Sequence, residues 1–164
     1  MYFLLSYIKI IYVYNTMKTV YIDGTFDLLH TGHVKLLKKL KEENDILIVG
    51  VISDENVEMY MIKPIIDLQN RCFILNEMEC VDIVVSDCPF GGITHEFIDK
   101  YKITKVVYAG AKGTWKEHYG VAIEMGIMEY IDYSHDELST TKIINRIKYD
   151  ISNMYNDERE KYCY

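Results

Sequence analysis

Residues 45–52, DILIVGVI, form an apolar run that is unbroken after Asp45. Such a run without polar alternation marks a strand buried on both faces, as in a parallel sheet covered by helices. Similar runs recur between stretches of helical spacing. KTVYID at 18–23 reads as a strand. TGHVKLLKKLKEEN at 31–44 follows, with Val34, Leu36, Leu37 and Leu40 on one helical face. A helix is predicted over 67–80, a strand over 81–85 and a helix over 94–101 capped by Thr94. Then come a strand at 104–110, a helix at 116–125, a short strand at 127–132 and a closing helix at 139–151. Five strand–helix units with no repeat and no linker predict one α/β domain. It is a Rossmann-like five-stranded parallel sheet with helices on both faces.

The chain has 164 residues, enough for one substantial core, and a formal net charge of −7. That acidity argues against nucleic acid as the main partner. It allows an anionic small ligand if positive groups are gathered locally or a divalent cation helps. Cys72, Cys80, Cys88 and Cys163 show no CxxC pair and no zinc-like spacing, so they read as free thiols of a reducing, cytoplasmic compartment. Residues 1–16 are almost wholly apolar and aromatic, yet too short for a confident span of about 20 residues. They read as an extension ahead of Met17, with weak membrane contact as the alternative and no stable insertion expected. The domain is expected over 17–150, and 151–164 as a charged, frayed tail.

The chemistry concentrates in DGTFDLLHTGHVKLL, residues 23–37, where a strand meets a helix. In parallel sheets ligands bind at the carboxyl ends of strands, so this turn lies where a ligand would sit. Gly24 is expected to let the backbone turn sharply and approach a ligand. Thr25 offers a hydroxyl and an amide. Gly32 is expected to keep the helix start open, so that its amides face an anion. His30 and His33, three apart, share a face, and imidazoles can donate to phosphate oxygens.

GTFDLLHTGH at 24–33 resembles the HxGH signature of the cytidylyltransferase-like nucleotidyltransferases. STTKII at 139–144 resembles the second signature, which opens the last helix. With LIVGVISDE and CPFGGITHEFIDKYKITKVVYAG the chain is most similar to the choline-phosphate and ethanolamine-phosphate branch. The resemblance implies transfer of CMP from CTP to phosphocholine or phosphoethanolamine with release of pyrophosphate, a step of phospholipid precursor synthesis. It implies catalytic roles for His30, His33 and Lys63, the last between the two substrates. It implies nucleotide contacts from Gly24, Thr25, Phe26, Gly110, Ser139, Thr140 and Thr141 as well as the histidines. On the acceptor side it implies Lys63, Arg71, Phe90 and Trp115, with Asp27 in support. Tyr108 and Tyr119 are further aromatic candidates for a cage around a quaternary ammonium. Mg²⁺ accompanies CTP, held through phosphates and water rather than by a protein cage. A homodimer is also implied.

Two segments depart from the family pattern. Its usual RTEGIST reads SHDELST here, with Ser134 at the arginine, His135 beside it and Glu137 at the glycine. The acidic residues that often follow the fourth strand are absent from AGAKGTW, where Gly110 remains and Lys112 is new. Relatives with another base or acceptor therefore stay open, among them glycerol 3-phosphate cytidylyltransferases and enzymes like archaeal-type FAD synthetases. A degenerate nucleotide-binding protein without catalysis also stays open.

Overall fold

A computed structural model describes residues 17–43, 45–110, 117–132 and 138–156. The readings placed on residues 1–16, Lys112, Trp115, Ser134, His135, Glu137, Cys163 and the end of the tail lie outside them.

The chain runs β1 (Thr19–Gly24), α1 (Thr31–Glu42), β2 (Ile46–Val51), α2 (Asp54–Glu58), α3 (Leu68–Asn76) and β3 (Ile83–Ser86). It continues through α4 (His95–Tyr101), β4 (Lys105–Tyr108), α5 (Gly120–Glu124), β5 (Met128–Tyr130) and α6 (Thr140–Asn156). The five strands make one sheet in the order β3-β2-β1-β4-β5, and every pair is parallel. This is the expected Rossmann-like architecture. β1 lies at the centre, with Ile22 opposite Val49 of β2 and Val107 of β4.

Side-chain alternation along β1 separates two apolar layers. Val20 and Ile22 join Leu36, Leu37 and Leu40 of α1 and Leu75 of α3. Tyr21 points the other way, to Ile98 of α4 and Ala122 of α5. Chain order reverses between β1 and β4, so a crevice opens at their carboxyl ends.

Several boundaries differ from the sequence expectation. α3 stops at Asn76, because Val81 N–H turns back to Met78 O at 2.9 Å before β3 begins. α5 is only five residues long. α6 runs on through Asn156, past the expected domain end, and no glycine or proline interrupts 140–156. Thr94 caps α4 as expected, accepting from Phe97 N–H at 3.2 Å. Cys72, Cys80 and Cys88 are free and buried. Burial pushes the Cys88 thiol up to about 12, so it is unreactive at neutral pH.

Arg71, expected at the acceptor, is instead 1% exposed and serves as an internal strut. Its guanidinium donates to Thr25 O, to Ile52 O at 3.0 Å and to the Asp54 carboxylate, while Nε donates to Ile66 O at 2.9 Å. One side chain thus joins the ends of β1 and β2 to α2 and the loop before α3. Arg71→Ala would leave three carbonyls and a carboxylate without this partner. We expect it to lower stability by about 3–5 kcal/mol, read from urea unfolding. An unchanged unfolding midpoint would show that the strut contributes nothing.

Candidate active site

The turn after β1 is built against steric preference. Phe26 (φ 52°) and Leu28 (φ 46°) both occupy the left-handed region. Each such residue costs about 1–3 kcal/mol and persists only when its surroundings hold it there. Gly24 does not make the turn. It ends β1 in regular pairing with Val51. Its absent side chain makes room for Phe26, whose Cε2 would lie 3.3 Å from a Cβ at this position.

His30 is the N-cap of α1. Its Nδ1 accepts from Gly32 N–H at 3.1 Å, and His33 Nδ1 accepts from His30 N–H at 3.4 Å. The two imidazoles form a capping box, a role usually filled by hydroxyl and carboxylate side chains. The Gly32 amide expected to face an anion is therefore taken by His30. With Nδ1 accepting, each ring in its neutral form carries its proton on Nε2, which makes that nitrogen a donor. The rings lie 3.9 Å apart, tilted by 31°. The Phe26 ring meets the His33 edge at 5.5 Å.

This turn borders a cavity of about 810 Å³ at the β1/β4 crevice. Gly24, Thr25, Phe26, His33, Phe90 and Gly110 line it, as do Tyr108 and Tyr119. His30 is buried behind His33. Asp27 accepts from Leu28 N–H at 3.0 Å, Ile66 N–H at 2.9 Å and Ile65 N–H at 3.0 Å. Its carboxylate therefore clamps the loop before α3 to the turn instead of facing the cavity. Thr140 Oγ1 donates to Asp27 O at 3.0 Å, which brings the start of α6 to the same turn. Ser139 caps α6 by accepting from Lys142 N–H at 3.2 Å, and Thr141 is exposed. Lys63 is exposed on the clamped loop, outside the cavity lining.

Lining residues not singled out from the sequence include Asp23, Tyr60 and His118. Asp23 is the next-to-last residue of β1, and its side chain is only 4% exposed. Tyr119 donates its hydroxyl to Asp23 Oδ1, and His118 Nε2 lies 3.3 Å from Oδ2. The bond to Asp23 is the largest cause holding the His118 pKa above its ordinary value, against a smaller lowering by burial. Burial, then the Asp23 charge, drives the Tyr119 phenol far above its usual range, so it stays a donor. Tyr60 stacks on Phe90, with centroids 5.2 Å apart and planes 14° from parallel. A charged residue in the last turn of a buried strand was the available signal for Asp23. Nothing local marks His118.

Among the described residues, no group of three or more His, Cys, Asp or Glu side chains could hold a metal ion. No helix among them is long and apolar enough to cross a membrane.

Fold, crevice and capped turn define a Rossmann-like α/β domain with a cavity at the switch point of its sheet. The family described as cytidylyltransferase-like matches residues 21–146, and the chain belongs to that family. It is 34% identical over 138 residues to an ethanolamine-phosphate cytidylyltransferase of Arabidopsis thaliana, covering 79% of this chain and 32% of that protein. A protein of the same name from Dictyostelium discoideum is 34% identical over 157 residues, covering 87% and 42%. The bifunctional protein HldE of Helicobacter acinonychis (strain Sheeba) is 35% identical over 151 residues, covering 88% and 30%. The chain thus spans well under half the length of these relatives. Among solved structures, the lipopolysaccharide core biosynthesis protein from Thermoplasma volcanium superposes with a TM-score of 0.59 at 25% identity. That match covers 73% of this chain and 99% of the other.

The His118–Asp23 pair has a pH signature. The folded pKa of His118 lies above its unfolded value, about 6.5. Its stabilisation is therefore complete below about 6.5 and is lost as pH rises through the higher folded value. The stability difference between the parent and His118→Asn should shrink from pH 6 to pH 9. Asp23→Asn should lower the His118 titration midpoint seen by imidazole NMR. A midpoint unmoved in Asp23→Asn would refute the pairing.

Proposed function

We propose that this chain is a nucleotidyltransferase that joins CMP from CTP to a small phosphorylated alcohol and releases pyrophosphate. The observation that carries this reading is the close His30–His33 pair. It sits at the start of α1, beside the cavity, with the start of α6 bonded to the same turn. Membership of the cytidylyltransferase-like family supports it.

The acceptor's phosphate oxygen attacks the α-phosphorus of CTP in line. A new P–O bond forms as the bond to the β-phosphate oxygen breaks, and the electron pair leaves with pyrophosphate. The nucleophile is already an anion, so no general base is required. Catalysis then rests on positioning and on donors aimed at the developing charge. His33 Nε2–H is the donor for the α-phosphate. His30 backs it, fixing its ring by close ring contact and by the capping box. Thr25 and the backbone beside it border the triphosphate. Ser139 and Thr141, with the positive end of α6, serve the β- and γ-phosphates. Mg²⁺ bound by the CTP phosphates and water would offset the charge of the triphosphate.

Phosphoethanolamine and phosphocholine are the acceptors that the ethanolamine-phosphate cytidylyltransferase likeness brings forward. The comparable likeness to HldE favours a second reading with a different acceptor or base. Pyrophosphate release with each nucleoside triphosphate against a panel of phosphorylated acceptors separates the two. We expect release with CTP, and a loss of about 10²–10³-fold in kcat for His33→Ala in a protein that stays folded, its stability lowered by no more than the about 0.5–2 kcal/mol of a lost helix cap. Near-normal turnover in His33→Ala, or no release with any pair, would end this reading.

A further inference from the structure

We infer that Tyr60 is a clasp: by closing on Phe90 and Thr25 it walls the transfer site off from bulk water on the β1–β3 side, so that the acceptor rather than water attacks the α-phosphorus of the nucleotide. The inference rests on the nucleotidyl-transfer reading for its chemistry. The clasp itself is a matter of geometry.

Tyr60 belongs to a strap, residues 59–64, that follows α2 and is fixed at both ends. At one end the Tyr60 and Met61 amides donate to Val57 O at 3.2 and 2.9 Å, and Val57 is buried. At the other, the Asp27 carboxylate takes the Ile65 and Ile66 amides at 3.0 and 2.9 Å. Between these anchors the strap buries little of itself: Met59 is 73% exposed and Ile62 86%. The core does not hold it. Tyr60 and Met61 nevertheless line the cavity.

One ring joins three loops. Tyr60 stacks on Phe90, from the loop after β3, with centroids 5.2 Å apart and planes 14° from parallel. Its hydroxyl is hydrogen-bonded to the side chain of Thr25, in the turn after β1, and that bond offsets part of the rise that burial gives its pKa. The strap itself lies between β2 and β3 in the chain. One side chain therefore bridges the carboxyl ends of β1, β2 and β3, at the mouth of the cavity that His33 lines from α1. Beneath the stack, Phe90 packs against Cys88, which is buried. A stack and one hydrogen bond, on a residue half open to solvent, make a hold that can release and reclose as ligands pass.

Water is the competing nucleophile at the α-phosphorus. In hydrolysis its oxygen bonds to that phosphorus as the bond to the β-phosphate oxygen breaks. The electron pair leaves with pyrophosphate, the water proton passes to solvent, and CMP is formed with no acceptor coupled. Closing a site against water is what suppresses such a side reaction. Tyr60 suits that task, because it offers the cavity an aromatic ring while its hydroxyl is engaged with Thr25.

The test measures CMP and the coupled product together, in reactions of CTP with phosphoethanolamine, phosphocholine or glycerol 3-phosphate. Tyr60→Ala should raise the ratio of CMP to coupled product by at least about tenfold. Tyr60→Phe keeps the stack and loses only the hydroxyl, so it should stay within about threefold of the parent. A second readout needs no turnover. Alkylation of Cys88 by iodoacetamide, followed by peptide mass spectrometry, should be at least about tenfold faster in Tyr60→Ala, while Cys72 in the α1-side core reacts at the parental rate. A merely structural role for Tyr60 would slow transfer and hydrolysis together and speed Cys72 along with Cys88. That outcome, or a product ratio that Tyr60→Ala leaves unmoved, would overturn the inference. If no pair releases pyrophosphate, the nucleotidyl-transfer reading falls, and the alkylation rates still decide the clasp: an unchanged Cys88 rate ends it.

Discussion

The Asp27 carboxylate is the bond on which the site depends. It is 8% exposed and takes three backbone amides, one from its own turn and two from the loop before α3. Its backbone carbonyl takes the Thr140 hydroxyl at the start of α6. Three segments distant in sequence thus meet at one residue of a turn that carries two left-handed non-glycine residues. Such strain persists where the surroundings over-determine it. Arg71 does the same from below, joining the carbonyls of Thr25, Ile52 and Ile66. The two buried charges hold the loops that frame the cavity, and the histidine pair inherits its position from them.

Capping explains the spacing of the histidines, and the phosphate role proposed for them uses the same geometry. Three residues apart at a helix start is the geometry of a capping box. Using Nδ1 of each ring for the cap directs the proton to Nε2. Local helix chemistry and phosphate chemistry therefore ask for the same placement. This is why HTGH could be read as a site from sequence alone, while a similar pair in mid-helix would say little.

Much of the rest was legible for the same local reason. Apolar runs flanked by helical spacing specify five parallel strands, and the observed sheet has them. Thr94 could be assigned as a cap because capping involves neighbours. Arg71 could not be assigned, since a lone arginine in a helix reads equally as a substrate group or a buried strut. Its four acceptors come from residues 5 to 46 positions away. Gly24 was misread because its need arises from the Phe26 ring, not from its own backbone angles. Lys63 carries the right charge, yet the Asp27 clamp on Ile65 and Ile66 leaves it outside the cavity lining.

By itself the sequence determined the class of fold, the strand-to-helix turn after the first strand and the pairing of His30 with His33, all of which follow from periodicity and contacts within a few residues. Only the tertiary structure decided what stands at the other end of the cavity. Asp23 and His118 are 95 residues apart, on a strand and on the approach to a short helix. Nothing in either local pattern specifies the other. Their meeting depends on strand order, on which face of β1 Asp23 leaves and on how the chain enters α5, and these are set by packing the whole sheet.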